Sequence, residues 1–60
     1  MIALTLNSLI EETVFINPSN IIAVVPTNEG TTDVVCLSQT IFEVKETPLQ
    51  VLNLINNHFN

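Results

Sequence analysis

Ile21-Ile22-Ala23-Val24-Val25 is the stretch that decides the fold: five consecutive apolar residues, four of them β-branched, with nothing polar between them. A strand with one face in water alternates apolar and polar side chains, because successive residues point to opposite sides of the sheet. This run does not alternate, so it predicts a strand that needs cover on both faces. A chain of 60 residues has room for one core, and at this length only about 60% of the unfolded surface is buried. The missing cover is therefore expected from another copy of the chain or from a partner protein.

Working outward, Asn17-Pro18-Ser19-Asn20 precedes the run and reads as a turn, with Pro18 presetting φ and Asn and Ser bonding nearby backbone. Before it, residues 13–17 alternate as a strand, with Val14 and Ile16 on one side and Phe15 on the other. Residues 2–6 form a first strand with Ile2, Leu4 and Leu6 sharing a face. Residues 7–12 read as a loop whose apolar tip, Leu9 and Ile10, folds back or touches a neighbour; a strand extension stays open. After the run, Pro26 is expected to stop the strand, and Gly30, the single glycine, sits in a polar loop.

Two further strands are expected at 33–37 and 40–45. Ser38-Gln39 between them has hairpin spacing but lacks the Asn-Gly or Gly-X chemistry of tight turns, so a loop of three to five residues fits equally well. Thr47-Pro48-Leu49-Gln50 combines an N-cap hydroxyl, Pro at the first helical position and Gln three residues past the cap. From Val51 onward the apolar positions 51, 52, 54, 55 and 59 share one face, which predicts a helix over 48–58 packed on the sheet. The fold class is α+β: one domain, 1–60, with a small bent antiparallel sheet of four to five strands and one C-terminal helix.

Composition narrows the function. Small scaffolds usually add disulfides, a metal or oligomerisation. A lone Cys36 cannot close an intrachain disulfide, and one Cys with one His falls short of a four-ligand metal set. Association remains. Charged residues make up 12% of the chain against roughly 25% in a typical domain, so solvating side chains are scarce. Six acids against one Lys give −5, which excludes phosphate-driven nucleic-acid binding and attraction to anionic lipid. The longest apolar runs are five residues, far below the roughly 20 that span a bilayer. An unpaired thiol with no export signal fits a cytoplasmic location.

Several local strings resemble the FlbD-type family of small bacterial flagellar proteins. They are Ile2-Ala3-Leu4-Thr5, Asn7-Ser8, Phe15-Ile16-Asn17-Pro18 with Asn20-Ile21-Ile22, Thr32-Asp33-Val34-Val35-Cys36-Leu37, and Val44-Lys45-Glu46-Thr47-Pro48 with Val51 and Ile55. The chain departs from that family at Ser8 and Gln39, where glycine would complete Asn-Gly turns. The resemblance implies a non-enzymatic accessory role in motility, through contacts with motor or regulatory proteins.

Catalytic readings fare poorly. Cys36 lies in the apolar run Val34-Val35-Cys36-Leu37, where a cysteine behaves as a small hydrophobe rather than a thiolate. His58 belongs to the last helical turn, at the negative end of the helix. The carboxylates Glu11, Glu12, Glu43 and Glu46 have no cleft to separate their pKa values. Asn28, Glu29 and Asp33 around Gly30 offer too few oxygens for calcium. A CsrA-type RNA regulator needs arginines, and there are none.

The expected function is a small, non-catalytic, oligomer-forming protein-interaction module. Its partners would be itself and another protein, with no nucleic acid, no membrane insertion, no cofactor and no metal. The expected interaction surface is Leu9, Ile10, Phe15, Ile22, Val24, Val35 and Leu37. Two alternatives remain: a phage or host regulator that sequesters a partner protein or small signalling molecule, and a minimal enzyme on Cys36 and His58.

Overall fold

The computed structural model describes all residues from Met1 to Asn60. Five strands and a C-terminal helix make a small α+β fold: β1 (Ile2–Thr5), β2 (Thr13–Ile16), β3 (Ile21–Pro26), β4 (Thr32–Cys36), β5 (Ile41–Val44) and α1 (Pro48–Phe59). A single 3-10 turn, Pro18–Asn20, joins β2 to β3. There the Asn17 side chain accepts from the Ser19 N–H and Pro18 is buried.

The strands form two antiparallel sheets, β1–β2 and β3–β4–β5. A bridge between Leu6 and Val44 stitches them together, flanked by bonds from Lys45 N–H to Thr5 C=O at 2.8 Å and from Asn7 N–H to Glu43 C=O at 2.9 Å. The single sheet expected from the sequence is thus two sheets joined by one bridge, with the strands in the order β2-β1-β5-β4-β3. Residues 7–12 between β1 and β2 form an irregular loop, closed at its base where Leu6 N–H donates to Glu12 C=O.

The core lies where the two sheets and the helix meet. Ile2, Leu4, Ile16, Val34, Cys36, Val44 and Val51 are buried, with Leu6, Val14, Ile21, Val24, Phe42, Leu54 and Ile55 packed around them. Each fully buried Val or Leu contributes roughly 1.5–3 kcal/mol. Thr32 is the one buried polar side chain, and its hydroxyl donates to Glu46 C=O at 2.7 Å.

The run at 21–25 is built differently from its expectation. A register shift between Ile21 and Ala23 places a β-bulge at Ile22. On a regular strand Ile21 and Val24 would lie on opposite faces; the extra residue puts both on the core side, opposite Cys36 and Val34. Val24, expected on the interaction surface, is therefore a core-facing residue. Ala23 and Val25 turn outward, and Val25 is exposed. The absence of alternation thus records a bulge together with an outer face that this chain leaves open.

Pro26 also differs from its expected role. It is the last residue of β3, opposite Thr32. An edge strand tolerates it there because no neighbour needs its missing N–H. The strands run 32–36 and 41–44, each bound one residue off its expected place, and the helix runs one residue further, to Phe59. Between β4 and β5 the longer of the two loop readings holds, with Gln39 N–H donating to Cys36 C=O and Cys36 N–H to Thr40 C=O. Gln39 takes φ 66° there, the left-handed conformation that glycine adopts without a Cβ penalty.

Candidate functional site

The outer face of β3–β4–β5 exposes several large apolar side chains on one sheet. Cross-strand partners share a face, so the pairing register reads it off in rows. Ala23, Val35 and Ile41 make one row across three strands, and Val25, Asp33 and Glu43 make the next. Val35 is half-buried between its neighbours, while Ile41 and Val25 are exposed. Leu37 continues the apolar end beyond Val35 and is 61% exposed, and Ile22 at the bulge is 60% exposed. The face therefore grades from apolar at the Leu37 end to acidic at Asp33 and Glu43.

Of the residues expected on an interaction surface, Ile22, Val35 and Leu37 come together here, and Val24 is on the reverse side. Leu9 and Ile10 stand exposed on the loop between β1 and β2. Phe15 is on the outer side of β2, opposite Ala3 and 67% exposed. The structure thus divides the expected surface among three exposed places and turns Val24 to the core. Sequence reasoning missed Ile41 and Val25. The alternation of Ile41, Glu43 and Lys45 against Phe42 and Val44 carried the signal for the first; the bulge hid the second.

The charges are arranged around this face. Asp33 and Glu43 are directly opposite one another. Thr31 donates its hydroxyl to the Glu43 carboxylate at 2.5 Å, and the Asn7 amide donates to the same oxygen at 3.1 Å. Lys45, the single basic side chain, pairs with Glu11 at 2.8 Å. That hydrogen bond and charge hold the Glu11 carboxyl below its ordinary value. The only lysine or arginine side chain is thus committed away from Asp33 and Glu43.

One cleft of about 220 Å³ opens where the end of β2 approaches the β4–β5 hairpin. Met1, Phe15 and Phe42 supply apolar lining, Asn17, Asn20, Ser38 and Thr40 supply amides and hydroxyls, and Cys36 lies among them. Burial pushes the Cys36 thiol above its ordinary 9.0, so it stays protonated near neutral pH. His58 is exposed in the last turn of the helix, edge-on to Phe59 with ring centroids 5.1 Å apart. No group of three or more His, Cys, Asp or Glu side chains is placed to hold a metal ion. No helix is long and apolar enough to cross a membrane.

Comparison with protein-family models, with curated proteins and with solved structures finds no match. Function is argued from these surfaces, since a fold alone does not carry one.

Proposed function

We propose that this chain is a small, non-catalytic protein-interaction module that associates with itself and with another protein. One observation carries the reading: eleven large hydrophobic side chains are exposed, against seven buried in the core. Scattered apolar residues are ordinary on a surface, but the row through Ala23, Val35 and Ile41 is contiguous and extended by Leu37. Contiguous apolar patches rimmed by polar residues mark interaction sites. The buried, protonated Cys36 supports the non-catalytic part, because thiol nucleophiles act as exposed thiolates.

The resemblance to FlbD-type proteins points toward a motor or regulatory protein as the second partner, with the chain acting as an accessory of motility. A regulator that sequesters a small signalling molecule is the second reading, and the mixed lining of the cleft beside Cys36 favours it. Sedimentation of the native chain over a concentration series tests the self-association. Species heavier than 6.6 kDa are expected at micromolar concentration, and a 6.6 kDa species throughout overturns it. Alkylation of native Cys36 is expected to be slow; rapid modification would restore the enzyme reading.

A further inference from the structure

The two outer strands of the molecule end their sheets differently. β3 carries a bulge at Ile22 and finishes in Pro26, two devices that keep an edge from pairing with another chain. β2 carries neither. Its sequence Thr13-Val14-Phe15-Ile16 is regular and paired residue for residue with β1.

The direction of the free backbone groups on β2 follows from the ladder. Thr5 turns its main chain away from β2: its C=O accepts from Lys45 N–H, and its N–H meets both oxygens of the Glu46 carboxylate at 2.9 and 3.1 Å. Leu6, the next residue, donates instead to Glu12 on the β2 side. In an antiparallel pair such groups alternate, so Thr5–Thr13 and Ala3–Phe15 are the non-hydrogen-bonded pairs of the register. The N–H and C=O groups of Thr13 and Phe15 therefore point to the open edge.

We propose that the β2 edge pairs antiparallel with the β2 edge of a second copy of this chain, making a two-fold dimer with a sheet continuous across the interface. The inference rests on the self-association proposed above, gives it to the β2 edge, and leaves the row through Ala23, Val35 and Ile41 to the second partner. A two-fold axis at Val14 sets Thr13 against Phe15 of the copy, and Phe15 against Thr13, so every free β2 group finds a partner. The two Phe15 rings then lie on one diagonal, about 7–8 Å apart at their backbones and within aromatic reach.

Charge favours a second copy in this orientation. β2 begins after Glu11 and Glu12 and ends in neutral Asn17-Pro18. Antiparallel pairing sets the acids of each copy against Ile16 and Asn17 of the other, whereas parallel pairing would bring four carboxylates together. Edge pairing alone covers less than the roughly 800 Å² per partner of a stable interface. The same register carries the Leu9–Glu12 loop of each copy toward the cleft at the end of the other's β2. Met1, Phe15 and Phe42 there match Leu9 and Ile10, and the Asn17 and Thr40 donors match the Glu12 carboxylate.

Amide hydrogen exchange on the native chain, with sedimentation of two variants, tests the proposal. Protection of the Thr13 and Phe15 amides is expected to rise with protein concentration. Phe15→Pro deletes an N–H that makes no bond within the subunit, and is expected to weaken dimerisation at least tenfold while leaving the circular dichroism unchanged. Leu49→Ser, exposed on the helix and outside every candidate surface, is expected to dimerise as the native chain does. An oligomer in which those two amides exchange independently of concentration overturns this edge and leaves self-association standing. A native chain that is monomeric at every concentration overturns both.

Discussion

Gln39 and Gly30 hold the two left-handed backbone positions of the molecule, at φ 66° and φ 83°. A left-handed residue with a Cβ costs roughly 1–2 kcal/mol, part of which glycine forfeits again as unfolded-chain entropy. Gln39→Gly is therefore expected to stabilise the fold by up to about 1 kcal/mol, read as a higher urea midpoint with unchanged slope. Gly30→Ala is expected to cost about 1 kcal/mol in the same experiment. Nothing lies within 4 Å of the added methyl, so the loss comes from the backbone alone. The requirement at Gly30 was legible, since glycine is the residue that serves such loops. The one at Gln39 was not, because only the loop that closes β4 onto β5 imposes it.

Among the elements, the helix was the most legible because its start is encoded within four residues. Gln50 N–H donates to the Thr47 hydroxyl at 3.2 Å and Thr47 N–H to the Gln50 side chain at 2.8 Å, completing the capping box. Thr47→Ala is expected to cost about 1 kcal/mol, measured by thermal unfolding followed through the helical signal. The junction before the helix depends on a long-range contact. Glu46 receives Thr5 N–H on its carboxylate, tying β1 to the segment between β5 and α1. Glu46→Ala leaves that half-buried donor without a partner and is expected to cost roughly 1–3 kcal/mol, with faster exchange of the Thr5 amide. No local pattern announces this contact, because its partners are 41 residues apart.

At the scale of the whole molecule, stability is expected to depend on pH chiefly at the alkaline end. The Cys36 thiol is raised above 9.0 by burial, so the folded state holds a proton that the unfolded chain releases first. Its contribution is complete below about pH 9 and is lost as pH rises through the folded value. The Glu11 carboxyl is lowered by Lys45, so its contribution is present above the ordinary carboxylate range and is lost as pH falls through the folded value. Urea unfolding across pH should show a decline above pH 9 that Cys36→Ala abolishes. It should show little change at low pH on substituting Glu11, since the ion pair is exposed.

The sequence by itself determined the α+β class, a count of four to five strands and the helix start, because alternation, turn residues and caps act between near neighbours; that residues 7–12 form a loop was decided only by the structure. The side to which each apolar residue of 21–25 points was decided only in the tertiary structure. One bulge shifts the parity of every residue after it, and a bulge forms in response to the strand alongside. The same holds for the candidate surfaces: composition implied more apolar area than one small core can hide, but pairing with β4 and β5 chose which row stays open. The free edge of β2 likewise became visible only once the bonds of Thr5 and Leu6 showed which way the backbone groups turn.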